Sequence, residues 1–118
     1  MIAPNMNIDY SKQSFTSFRF SKTAQKQLDN IMAKSTPETV DSISKLVESQ
    51  KTNPVHIFVS KLTQIRKVPV TDCFCIKVAN QTFDNSSFTD LYDFFKAGAT
   101  VADKYKTRFN WQILIVIL

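Results

Sequence analysis

Apolar residues recur at helical spacing in two segments of the first half of the chain. The first segment follows Ser21, a residue type that caps helix N-termini. Its apolar positions are Ala24, Leu28, Ile31 and Met32. The second segment opens with Thr36-Pro37-Glu38, which combines a capping hydroxyl, a proline at the first helical position and an acid in the first turn. Its apolar positions are Val40, Ile43, Leu46 and Val47. A short aromatic strand at 15–20 precedes both helices, so the pattern predicts a strand followed by a helical hairpin.

The middle of the chain predicts two further strands and a third helix. Residues 55–59 are rich in β-branched and aromatic types, and residues 73–78 alternate between two faces. Residues 80–87 are turn-like, and the following apolar positions indicate a helix that ends at Gly98. The face of this helix is formed by Phe88, Leu91, Tyr92 and Phe95. Phe94 lies off that face, so we expect it to contact a partner.

The end of the chain is its most apolar stretch. Residues 113–118 are six consecutive aliphatic residues, too few to cross a membrane as a helix and typical of a strand that is covered on both faces. We therefore predict a central strand there, preceded by a strand at 104–109 and a turn at Asn110-Trp111. The resulting fold class is α+β, in the order β-α-α-β-(α)-β-β, with a helical hairpin packed on a small, mainly antiparallel sheet. We expect one domain over residues 1–118, a flexible segment at 1–14 and an inserted helix-containing segment at 80–103.

Charge adds a binding preference to this fold. The net charge is +5, and it belongs to residues 1–67, which carry ten Lys or Arg against five acids, whereas residues 68–118 carry five of each. Such a field favours phosphate-rich or acidic partners, although lysines are also common as plain solvated residues. Cys73 and Cys75 are interpreted as reduced thiols, and residues 1–7 lack the order of a signal peptide. We therefore expect a cytoplasmic protein.

Several kinds of site are disfavoured by the residue types present. A single glycine rules out a glycine-rich phosphate loop, and His56 is the only histidine available to a zinc site or a Ser-His-Asp arrangement. Asp90 and Asp93 fit helix-dipole partners better than metal ligands. We expect no cofactor and no metal.

Four segments resemble the RelE/ParE superfamily of small bacterial toxins. Phe20 to Leu28 is similar to the family's F-S-x-x-A-x-K-x-L helix start, and Asn53-Pro54 followed by Lys61-Leu62 is similar to its N-P-x6-K-L run. Residues 73–78 resemble its Y-[RK]-I-[RK]-V strand, and Tyr105-Lys106 stands where the family has a Tyr-Arg pair. The resemblance implies a toxin that cuts mRNA on the ribosome without a metal and is neutralised by an antitoxin protein.

The resemblance and the chemistry of RNA cleavage together suggest the site residues. Negative charge develops on the phosphate during attack by the 2′-hydroxyl, so cations must lie beside it. The expected catalytic residues are Lys61, Lys77 and Lys106. The expected RNA-binding residues are Lys22, Lys26, Arg66, Lys67 and Arg108. The expected partner contacts are Phe94, Ile113 and Ile115, the last two through a C-terminal strand edge that would also allow a homodimer. Two alternatives stay open: a non-enzymatic inhibitor or adaptor of the same fold, and a basic nucleic-acid-binding domain.

Overall fold

The computed structural model describes the backbone of residues 17–117 and the side chains of residues 17–106. It is an α+β fold with three helices and a four-stranded mixed sheet. The strands are β1 (Phe18–Phe20), β2 (Ile57–Ile65), β3 (Val68–Val78) and β4 (Gln81–Asp84). The helices are α1 (Lys22–Ala33), α2 (Pro37–Ser49) and α3 (Leu91–Ile117), and a 3-10 turn (Asn85–Ser87) precedes α3.

The helical hairpin begins where its capping residues predict. The Ser21 hydroxyl accepts a hydrogen bond from the Ala24 amide at 3.1 Å, and the Thr36 hydroxyl accepts one from the Thr39 amide at 3.2 Å. Each hydroxyl satisfies an amide that has no partner within its helix, which fixes the first turn locally. The first strand and both helices of the hairpin are therefore confirmed; within the described residues the strand covers Phe18–Phe20.

The sheet is ordered β1-β2-β3-β4, with β1 parallel to β2 and the other pairs antiparallel. The helical hairpin is the crossover between the two parallel strands, because parallel neighbours cannot be joined by a tight turn. β2 and β3 are the two long central strands, and β4 is a short strand on the edge. The turn-like segment at 80–87 thus contains a strand that its polar sequence did not predict.

One face of the sheet forms the core with α1 and α3, and α2 packs against α3. The buried sheet residues on this covered face are Phe18, Ile57, Val59, Phe74, Ile76 and Val78. Phe95 of α3 contacts three strand phenylalanines at ring-centroid distances of 5.7 to 6.3 Å. The opposite face, which we call the open face, carries Arg19, Phe58, Ser60, Lys77 and Thr82, and all but the half-buried Arg19 are exposed.

The predicted C-terminal strands are wrong, because residues 104–109 and 113–117 are helical. Gly98 does not end the helix but lies within α3, where a Cβ atom would be 3.1 Å from Ile76 Cδ1 and 3.3 Å from Ile57 Cγ2. The glycine therefore lets the helix approach the sheet closely. The order β-α-α-β-(α)-β-β becomes β-α-α-β-β-β-α, and the strand edge on which the expected homodimer depended is not present over residues 113–117.

The expected partner contact of Phe94 is also wrong, because the side chain is fully buried in the core. Its ring lies 5.8 Å from the Phe83 ring and 5.6 Å from the Phe88 ring, so α3 buries residues on two adjacent sides. The helix begins at Leu91, after an Asp90 carboxylate that accepts from the Asp93 amide at 2.8 Å.

The predicted flexible segment 1–14 lies outside the described residues. Among the described helices, none is both long enough and apolar enough to cross a membrane.

Candidate nucleic-acid interface

One row of the open face crosses all four strands. Arg19 of β1 is in register with Phe58 of β2, Phe58 with Lys77 of β3, and Lys77 with Thr82 of β4. Neighbouring strands lie about 4.8 Å apart, so the row spans roughly 14 Å. It places an aromatic ring between two cations, with a hydroxyl at its end.

Phe58 is unusual because a large apolar side chain is 50% exposed at the centre of a sheet. The His56 ring stands nearly perpendicular to it, with the centroids 5.9 Å apart. The Arg19 guanidinium donates to His56 Nε2 over a long 3.5 Å contact. Burial and then the positive charge of Arg19 lower the pKa of His56, so the imidazole is neutral at pH 7 and can accept this bond.

A second row of the open face places Ser60 and Cys75 beside Asp84. Hydrogen bonds from Ser86 lower the pKa of Asp84, and the charge of Arg66 lowers it further. Burial, followed by the negative charge of Asp84, raises the pKa of Cys75, and the same two causes raise that of Cys73. Both thiols therefore stay protonated at neutral pH, and the geometry does not make either a strong nucleophile.

Beyond Leu62 and Cys73, β2 and β3 continue as a two-stranded arm (residues 63–72), since β1 and β4 pair only with the other end. The arm ends in a two-residue turn formed by Arg66 and Lys67, at φ 53° and 69°. A turn with two left-handed residues suits the twist of a hairpin, but Asn-Gly is the preferred sequence for it. Left-handed backbone costs an ordinary side chain about 1 kcal/mol or more per residue.

The arm leaves the sheet at a β-bulge, a feature that bends the strand in which it occurs. Pairing passes from Leu62 opposite Cys73 to Gln64 opposite Pro69, which leaves two extra residues on β3, and Asp72 has a φ of 55°. The Asn85 side chain fastens this bulge, since its Oδ1 accepts from the Phe74 amide at 3.0 Å and its Nδ2 donates to the Asp72 carbonyl at 3.3 Å. Proline is tolerated in the arm because β3 has only one neighbouring strand there.

The three expected catalytic lysines do not lie on one face. Lys77 is on the open face beside Phe58, whereas Lys61 is in register with the buried Phe74 and so belongs to the covered side of the sheet. Lys106 is half-buried in α3. The structure therefore brings one of the three, Lys77, to the aromatic row.

The expected RNA-binding residues are also dispersed. Lys22 and Lys26 are exposed on α1, on the helical side of the sheet, whereas Arg66 and Lys67 are exposed at the tip of the arm. The backbones of Arg108, Ile113 and Ile115 are helical, and their side chains lie outside the described ones.

Three residues of the row, Arg19, Phe58 and Thr82, were not singled out from the sequence. Arg19 and Phe58 lie in short β-prone runs, and their alternation with buried Ile57, Val59 and Phe18 gives the only local sign that they face outward. Their register with Lys77 depends on strand pairing over long sequence distances and has no local signal.

Within residues 17–106, no group of three or more His, Cys, Asp or Glu side chains is arranged to hold a metal ion. Comparison of the chain with protein-family models, curated proteins and solved structures gives no match.

Proposed function

We propose that this chain is a binding domain for single-stranded RNA and that the open face is its contact surface. The observation that carries the proposal is the row in which exposed Phe58 lies in register between Arg19 and Lys77. An exposed aromatic residue on a four-stranded sheet is a stacking platform for an unpaired base, and flanking cations suit the phosphates on either side of it.

The shape and polarity of the surface favour single-stranded RNA over a duplex. A duplex buries its base faces against each other, so an exposed phenylalanine at the centre of a sheet has no base face to stack on. The exposed hydroxyls of Thr82, at the end of the row, and of Ser60, in the neighbouring row, offer hydrogen-bond partners for the 2′-hydroxyl. The net charge of +5 adds attraction that does not depend on sequence.

The test is the affinity of Phe58 variants for a fluorescein-labelled oligouridylate of about 12 nucleotides, measured by anisotropy. Stacking of one base contributes about 1–3 kcal/mol, so F58A should weaken binding roughly 5- to 150-fold. F58W should retain the affinity because it keeps an aromatic face. F58L should behave like F58A because leucine has no aromatic face, even though it keeps most of the apolar area. Equal affinities of wild type and F58A, or tighter binding of a duplex, would refute the proposal.

The cations of the row are tested by the salt dependence of the same binding. Log affinity falls as log salt rises, and each phosphate contact to a single strand contributes about 0.7 to the steepness of that fall. K77A should therefore make the slope shallower by about 0.7. K34A is the matched control, because Lys34 is an exposed lysine at the end of α1 in the helical layer. A slope that falls equally in both variants would mean that only overall charge matters.

Cleavage of the bound RNA is a second candidate, favoured by Lys77 lying next to Phe58 in the row. In this reaction the 2′-hydroxyl attacks the adjacent phosphate and the 5′-oxygen leaves with a proton, giving a 2′,3′-cyclic phosphate and a 5′-hydroxyl. Lys77 would stabilise the charge on the phosphate oxygens. The RelE/ParE resemblance adds that the substrate is mRNA on ribosomes and that an antitoxin covers the basic surface.

Cleavage is checked by incubating labelled mRNA with purified ribosomes and the protein. Wild type should produce fragments with cyclic phosphate ends, and K77A should produce at least tenfold fewer while K34A matches wild type. Intact mRNA after incubation with the wild-type protein would refute the cleavage hypothesis and leave RNA binding as the proposed activity.

A further inference from the structure

The arm ends in a turn whose residues are poorly suited to its backbone. Arg66 and Lys67 both occupy left-handed conformations, at φ 53° and 69°, where Asn and Gly are preferred. The flanking Ile65 and Val68 pair with each other, so the strained turn is a regular part of the hairpin. Strained backbone conformations cluster at functional sites, and here the strained pair is also a pair of exposed cations.

The arm is aimed by a separate set of contacts at its base. The bulge at Asp72 bends β3, and both atoms of the Asn85 amide group hold the bulge in place through Phe74 and Asp72. The arm continues β2 and β3, the two strands that carry Phe58 and Lys77, so its terminal cations lie on the same pair of strands as the aromatic row.

We propose that the tip of the arm is a second RNA contact, in which Arg66 and Lys67 hold the phosphate backbone of the strand whose base stacks on Phe58. This inference rests on the proposed RNA-binding function. Arg66 lies eight residues beyond Phe58 along the chain, which is roughly 26 Å of extended strand, so only an RNA several nucleotides long reaches both contacts. The Asn85 side chain is then a positioning residue that sets the direction of the arm.

The proposal is tested by separating the charge of the tip from its strain. R66Q/K67Q removes both charges and leaves two side chains in left-handed backbone, whereas R66N/K67G removes the charges and supplies the residues that the turn prefers. Both variants should bind the oligouridylate roughly 3- to 30-fold more weakly. The slope of log affinity against log salt should become shallower by about 1.4 in each. Only R66N/K67G should also raise the Tm, by roughly 3–8 °C.

RNA length and a charge-matched control complete the binding test. A uridine trinucleotide cannot span from Phe58 to the tip, so its affinity should be the same for R66Q/K67Q and wild type. K34Q/K45Q removes two exposed lysines from the helical layer and should leave the affinity for the longer RNA much less changed. If K34Q/K45Q weakens binding as much as R66Q/K67Q, or if the trinucleotide also loses affinity, the tip is not a specific contact.

The Asn85 contact is tested by combining variants. N85A should weaken binding of the longer RNA, and adding it to R66Q/K67Q should cause little further loss, because it acts through the tip. If the fold loss in affinity of the combined variant equals the product of the losses of N85A and R66Q/K67Q, Asn85 does not act through the arm. If F58A weakens binding while R66Q/K67Q and R66N/K67G do not, the arm proposal fails and the proposed function stands. If F58A has no effect, both fail.

Discussion

Asn53 offers the sharpest test of how the fold is held together outside its aromatic core. The residue is buried in the connection between α2 and β2, and its amide nitrogen donates to Gln50 Oε1 at 2.9 Å and to Asp103 Oδ1 at 3.1 Å. Its amide oxygen accepts from the Val55 amide at 2.9 Å. The side chain therefore ties the α2–β2 connection to α3. N53D preserves its shape and its acceptor but replaces the donor with a charge.

The cost of N53D follows from these contacts. The new carboxylate keeps the bond from Val55 and can accept from Gln50 once that amide turns over, but it stands about 3 Å from the Asp103 carboxylate. Coulomb repulsion at that distance is roughly 1 kcal/mol in water and 5 kcal/mol at an effective dielectric of 20. Asp103 is exposed, which favours the lower part of that range. With the lost donor added, we expect N53D to lower the free energy of unfolding by about 2–4 kcal/mol at pH 7.

The stability loss caused by N53D should be larger at neutral pH than at acidic pH. Repulsion by Asp103 raises the folded-state pKa of the carboxyl introduced at position 53 above its unfolded value, so the penalty is full at neutral pH and shrinks as the pH falls through that folded-state pKa. Urea denaturation of N53D and wild type at pH 7 and pH 4 measures this difference. N53D/D103N restores one donor and one acceptor with reversed roles and should recover most of the loss at pH 7. A penalty that is equal at both pH values, or no recovery in the double variant, would refute the reasoning.

Three further predictions concern the core and the open face. G98V should lower the free energy of unfolding by about 1–3 kcal/mol in urea denaturation, because its side chain meets the sheet at a point where even one Cβ is crowded; G98A should cost less, since its gain in helix propensity offsets part of the crowding. F94A should cost about 3–5 kcal/mol in the same assay, and a loss below 1 kcal/mol would contradict its burial in the core. D84N should speed alkylation of Cys73 and Cys75 by iodoacetamide at pH 8, measured by mass spectrometry, because the Asp84 charge contributes to the raised pKa of both thiols. Because folding lowers the pKa of Asp84, its stabilisation is present at neutral pH and is lost as the pH falls through the folded-state value, so D84N should also flatten the acid side of a Tm-against-pH curve.

The parts of the fold that the sequence predicted are those with local signals. Ser21 and Thr36 cap their own helices within three residues, so the helical hairpin could be located without knowledge of the rest of the chain. The apolar run at the C-terminus carried no such signal, because six aliphatic residues fit a buried strand or one part of a longer helix equally well. Gly98 strengthened the wrong choice, since a glycine near the end of a helical pattern usually ends the helix, whereas here it allows close packing on the sheet.

The candidate site was predictable only in part, for a similar reason. Lys77, Arg66 and Lys67 were identified by their charge, which is a property of each residue alone. The row on the open face is a product of register: Arg19 and Phe58 are 39 positions apart and meet only because β1 pairs in parallel with β2. The strain in the turn likewise appears only in the backbone angles, since nothing in the letters Arg-Lys indicates left-handed φ values.

The position of Phe94 and Phe95 has a consequence for how the protein is made. These two rings complete the core around Phe18, Phe74 and Phe83, yet they belong to α3, which follows all four described strands in the sequence. A ribosome therefore releases the strands before the helix that covers them, and the apolar side of the sheet stays wet until α3 emerges from the exit tunnel. During that interval the nascent chain exposes a phenylalanine-rich surface, which is the kind of surface that promotes aggregation until a later element covers it.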